Sequence, residues 1–116
     1  MKVLAGDWKE GINVLVGPNG VVFQKGVFRN ERVPLSEIAN FDMVTEENKA
    51  SILGKVGWGA AGAIVLGPLG LLAGVLGGGN KKDRVMAVRF KDGRKALIKG
   101  GPKDVEAFNK YTFSLS

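Results

Sequence analysis

Arg89, Lys91, Arg94 and Lys95 gather around Asp92-Gly93, with Lys99 close behind them and Lys103 further on. Side chains of this type at this spacing hold phosphate or carboxylate groups by charge, and such binding weakens steeply with salt. The whole chain leans the same way: 17 Lys and Arg against 11 Asp and Glu leave a net charge of +6. That balance favours an anionic lipid surface, an acidic protein face or nucleic acid as partner. Nucleic acid is the least favoured, because the chain has two Trp, one Tyr and six Phe, most at core-facing positions, and offers no stacking platform. The same cations on the solvent face of an edge hairpin would also prevent strand-to-strand aggregation, so both uses stay open.

Covalent and proton-transfer chemistry has little to draw on. With no histidine and no cysteine, the commonest general base, the commonest zinc ligand and the thiolate nucleophile are all missing. Ser36, Ser51, Ser114 and Ser116 have no imidazole to activate them. Glu46-Glu47 is the nearest approach to a carboxylate pair, and a place in the first turn of a helix explains it better. Gly54-Lys55 lacks both the following Ser or Thr and the earlier glycine of a phosphate loop, while Gly77-Gly78-Gly79-Asn80-Lys81 ends a helical pattern instead of opening one. No enzyme activity, cofactor or metal is expected.

The elements that would position these residues follow from the spacing of apolar side chains. Ile12, Val14 and Val16 alternate as one face of a strand, Pro18-Asn19-Gly20 supplies a turn, and Val21 and Phe23 continue in a second strand. Gly26 marks a bend before "VFRNERV", whose interleaved apolar and charged residues read as a third strand, Pro34 breaks pairing, and a further strand is predicted over Ile38–Val44. Thr45 suits a helix N-cap. After a long apolar stretch, "DRVMAVRF" and "RKALIKG" predict a hairpin around Asp92-Gly93 with a type I′ turn, Met86, Val88 and Phe90 facing the core. Gly101-Pro102 opens a C-terminal helix whose buried stripe is Val105, Phe108 and Thr112 or Tyr111. The stretch before Asp7 is too short and too weakly apolar for a secretion signal, so the cytoplasm is the expected compartment.

Between the two sets of strands lies "GKVGWGAAGAIVLGPLGLLAGVLGGGNKK". Val56 to Gly79 carries no charge over 24 residues, enough by count to span a bilayer, yet nine of them are glycine and Pro68 falls in the middle. A single crossing would also place the earlier strands and the later hairpin on opposite sides of the membrane, where they could not share a sheet. A helical hairpin is therefore expected over 46–80, broken near Gly67-Pro68. Gly59, Ala63 and Gly67 recur every four residues, as do Gly70, Gly74 and Gly78, giving each arm a small-residue face for close backbone approach. Trp58, Leu71, Val75 and their apolar neighbours occupy the other faces and call for a cover. Three covers are open: the protein's own sheet, a second copy, or one leaflet of a membrane whose anionic headgroups would meet Lys49, Lys55, Lys81, Lys82 and Arg84.

The segments "GVVFQKGVFRNERVPLSEIANFDMV" and "VMAVRFKDGRKALIKGGPKDVEAFNKY" give an order of strands, hairpin and final helix that resembles the bacterial pleckstrin-homology-like (PH-like) domains. The resemblance implies an antiparallel sheet folded into a partly open barrel and plugged by the C-terminal helix. Eukaryotic relatives often bind phosphoinositides through basic loops, but no lipid-binding signature transfers here, and fold alone does not carry function. The expectation is one α+β domain over 1–116, a non-enzymatic interaction module that self-assembles or attaches peripherally to the inner face of a membrane. Its contact residues would be Trp58, Gly59, Ala63, Gly67, Gly70, Leu71, Gly74 and Val75. The alternative is a small inhibitor or adaptor that binds an acidic protein, nucleic acid or a phosphorylated ligand through Arg89, Lys91, Arg94, Lys95 and Lys99.

Overall fold

The computed structural model describes residues 1–45, 47–48, 51–52 and 83–113. Apart from residues 47–48 and 51–52, the helical hairpin expected over 46–80, and with it every one of its contact residues, lies outside the described residues.

Seven strands form one antiparallel sheet: β1 (Lys2–Gly6), β2 (Asn13–Gly17), β3 (Gly20–Gln24), β4 (Asn30–Val33), β5 (Ile38–Val44), β6 (Arg84–Phe90) and β7 (Lys95–Gly100). They lie in the order β4-β3-β2-β1-β7-β6-β5, and the chain closes with helix α1 (Pro102–Phe113). The class is α+β. Alternation accounts for most of the strands: Val14, Val21, Phe23, Met86, Val88, Phe90, Ala96 and Ile98 all point to one face and are buried there with Phe108 of α1. That face curls into a trough. Three strands separate β3 from β6, yet the rings of Phe23 and Phe90 approach to 6.2 Å between centroids. Trp8, from the β1–β2 loop, fills the space beside them, stacked on Phe23 at 3.9 Å and edge-on to Phe90 at 5.4 Å. Phe41 of β5 stacks on Phe108 at 5.2 Å and so fastens α1 to the other end of the trough.

Three local features differ from the sequence expectations. The N-terminal stretch, for which the sequence suggested no strand, forms β1 at the centre of the sheet, where it pairs with both β2 and β7. The strand expected over "VFRNERV" begins only at Asn30. The register Gln24↔Asn30 leaves residues 25–29 to a tight turn closed by the Lys25 amide donating to the Arg29 carbonyl (2.7 Å), and Val27 and Phe28 stand 87 % and 95 % exposed on it. The β6–β7 turn is not type I′, which needs positive φ at two successive residues. Among the described residues only glycines have positive φ, and here it is Gly93 alone at 95°. Gly93 donates to the Phe90 carbonyl (3.0 Å) and Phe90 to that of Arg94 (2.8 Å), a type I turn over Lys91-Asp92 followed by a left-handed glycine.

Both expected helix starts have capping bonds. The Thr45 hydroxyl accepts from the Asn48 amide (3.2 Å) while the Asn48 side chain accepts from the Thr45 amide (2.7 Å), the reciprocal pattern of a capping box with Asn in the third position. At α1, the Asp104 carboxylate accepts from the Gly101 amide (3.0 Å), and Pro102 takes the first helical position. Gly100 is required by space: a Cβ there would lie 2.8 Å from the Asp104 Cβ and the Met1 Cγ.

Candidate functional site

The outer face of the sheet, turned away from the aromatic trough, carries most of the cations that the sequence singles out. In β6 the residues Val85, Ala87 and Arg89 alternate with the core-facing set, and in β7 so do Lys95, Leu97 and Lys99. Arg89 and Lys95 are direct cross-strand partners, and Lys99 is paired with Lys2 of β1. Four cations in two like-charged pairs thus border an apolar strip made of Val44, Val85, Ala87 and Leu97. Like charges directly opposite on neighbouring strands destabilise a sheet by about 0.2–1 kcal/mol per pair. Lys99 has partial relief from Asp83, whose carboxylate lies 3.9 Å away. Lys2 escapes notice in the sequence because its strand does; the apolar run Val3-Leu4-Ala5 beside it is the signal that could have found it.

Arg94 leaves this group. Its guanidinium crosses the open end of the trough, lies 4.7 Å from the centre of the Trp8 ring and pairs with Glu31 of β4 and, at 2.8 Å, with Asp92. Lys91 stays on the exposed turn, apart from both sets. The sequence cluster of five is therefore divided by the sheet: Arg89, Lys95 and Lys99 on the outer face, Arg94 and Lys91 at the turn end.

Around Glu31 the structure builds a closed electrostatic clasp. One carboxylate oxygen accepts from Trp8 Nε1 (3.1 Å) and from Lys25 Nζ (2.8 Å), the other from Arg94. The Lys25 hydrogen bond first, then that of Arg94, hold the Glu31 carboxyl down at about 2, against 4.5 for an ordinary glutamate. The same pairing, Glu31 foremost, raises Arg94, and the Arg94 backbone amide and side chain lower Asp92. A carboxylate so fully engaged is poorly suited to act as a general base near neutral pH. Asp7, Trp8, Lys9, Ile12, Lys25 and Arg94 line a shallow cavity of about 310 Å3 beside it. A second groove, about 540 Å3, runs between β5 and α1 past Ile38, Phe41, Asn109 and Phe113, with no ionisable group in its lining. Among the described residues, no group of three or more His, Cys, Asp or Glu could hold a metal ion, and no helix is long and apolar enough to cross a membrane.

Where residues 46–82 leave and rejoin the sheet is well defined. Val44, the last residue of β5, is paired with Val85 at the start of β6, so both ends of the glycine-rich segment are rooted side by side. Comparison with protein-family models, with curated proteins and with solved structures finds no match to this chain.

Proposed function

We propose that the chain is a non-enzymatic interaction module of PH-like architecture that attaches to an anionic membrane surface. The glycine-rich segment supplies the apolar contact, and Lys2, Arg89, Lys95 and Lys99 supply the electrostatic one. The PH-like assignment draws support from seven antiparallel strands curled over an aromatic core and followed by a single helix. One observation carries the functional reading: the pairing Val44↔Val85 roots both ends of an apolar segment beside a face where like charges stand opposite each other. An anionic surface would attract these cations, at about 1 kcal/mol for each one near the headgroups. With its roots paired, a membrane-attached segment would dip into one leaflet or lie on it. Combining an apolar element with a basic patch meets the two-signal requirement for stable peripheral attachment.

Flotation of the full-length protein with phosphatidylcholine vesicles, with and without phosphatidylserine, tests this. The protein should float with the anionic vesicles, less so as salt rises, and reversing Arg89 and Lys95 to glutamate should weaken attachment about tenfold or more. No flotation with either vesicle overturns the reading. The small-residue faces around Gly59 and Gly74 favour self-assembly as the second reading, and a defined oligomer by light scattering without vesicle binding would establish it. Retention on heparin or DNA, lost in the same charge reversal and again without vesicle binding, would instead point to an adaptor for acidic partners.

A further inference from the structure

The two edges of the sheet are built differently. β4, at one edge, has only Asn30, Glu31, Arg32 and Val33 and is followed at once by Pro34. A short strand, charged side chains and a proline are features that keep an exposed edge from pairing with another chain. β5, at the other edge, is seven residues long, has Asp42 as its one charged residue and contains no proline. Among the described residues, no strand pairs with its outer side. The backbone amides and carbonyls on that side are a template for a further strand.

The open part of that edge is its middle. A register shift between Ile38 and Asn40 bends the start of the strand, and near its end the Met43 carbonyl accepts from the Asn48 side-chain amide (2.8 Å). Between them lie exposed Asn40, half-buried Phe41 and exposed Asp42. This stretch is complementary to itself. In an antiparallel pair centred on Phe41, each Phe41 faces the other, each Asp42 faces the Asn40 side chain of the opposite copy, and Met43 faces the small Ala39. Centring one residue later would set Asp42 against Asp42, a destabilising like-charged pair. Beside the strand, the groove of about 540 Å3 past Phe41, Asn109, Thr112 and Phe113 has no ionisable group in its lining, and Phe113 is 81 % exposed there. A strand added to β5 would form a further wall of this groove and place its own Phe41 on the helix side of the sheet.

We infer that two copies of the chain meet at this edge: β5 pairs antiparallel with β5 of a second copy about a two-fold axis at Phe41, joining the two sheets edge to edge. The same patch serves both copies, as a closed two-fold contact requires. The inference is independent of membrane attachment, since a dimer joined at β5 can bind vesicles or fail to. It also puts self-association on the sheet and not on the glycine repeats.

The chain has no native cysteine, so a bridge between introduced ones reports a single pair of positions. Directly opposed residues on antiparallel strands have Cα atoms about 4.5–5.5 Å apart, within reach of a disulfide, whereas diagonal neighbours are too far. Full-length Asn40→Cys mixed with full-length Asp42→Cys should therefore give the mixed dimer on mild oxidation about tenfold faster than either variant alone gives its own. Sedimentation equilibrium supplies a second reading without any bridge. Asn40→Asp would set a carboxylate against Asp42 twice in each dimer and should weaken association about tenfold, and adding Asp42→Asn to the same chain should restore it. Such a rescue is not expected of substitutions that merely disturb the strand. A protein that stays monomeric up to about 1 mM overturns the inference and leaves the edge to an extended segment of a different protein. A dimer that shows no preference for the mixed bridge, or that Asn40→Asp leaves as tight as before, overturns it in favour of another contact, the small-residue faces foremost.

Discussion

Glu31 accepts from three donors on three different segments, and that couples its ionisation to folding. Its folded-state value of about 2 lies below the 4.5 of an unpaired glutamate. A depressed carboxyl contributes stability above its unfolded value, and that contribution is lost as the pH falls from about 5 toward 2. Replacing Glu31 by Gln should therefore lower Tm at pH 7 and flatten the fall of Tm across this acid window. Thermal scans of both proteins from pH 7 to pH 2 read the difference, and parallel curves would mean that the clasp carries no linkage. None of this could be read from the sequence. Trp8 and Glu31 are 23 positions apart and Arg94 lies 63 beyond Glu31, and only the register Phe23↔Glu31 on the strand next to β3 aims the carboxylate at both.

Elements with strict alternation are legible; those that depend on partners are not. Val14-x-Val16, Val21-x-Phe23 and Met86-x-Val88-x-Phe90 each repeat with period two, and the strands fall where that period predicts. In β1 the pattern is masked by the apolar run Val3-Leu4-Ala5, and a register shift between Val3 and Ala5 shows why: the strand carries an irregularity that breaks the alternation. Val27-Phe28 fails in the opposite sense, since two apolar residues before an alternating stretch look like its beginning. The β3–β4 turn holds them out instead, with no core position in reach of either. Substituting both by serine should change the unfolding free energy by no more than about 0.5 kcal/mol, measured by urea titration, as is usual for surface positions. A larger loss would show that the turn is held against something by these side chains.

For the molecule as a whole, the proposed attachment surface combines the apolar segment with the outer-face cations. Half of that surface was open to the sequence: the cations of β6 and β7 and the small-residue repeats stand out, whereas the pairing of Lys2 with Lys99 and the diversion of Arg94 to Trp8 depend on the sheet order. If Gly74 lies where backbones approach closely, Gly74→Leu should lower vesicle attachment about tenfold while the far-ultraviolet circular dichroism of the sheet stays unchanged. Unaltered attachment would remove the glycine repeat from the contact. The side-by-side rooting at Val44 and Val85 also governs how the protein folds. Closing the loop between these partners, about 40 residues apart, costs only about 2 kcal/mol more entropy than closing a four-residue turn. Pairing of β5 with β6 should accordingly be a late step, after the local hairpins β2–β3 and β6–β7. So modest a penalty also means that a sheet of this kind can accept or lose a segment of this length at this one seam, and still reach the same arrangement of strands.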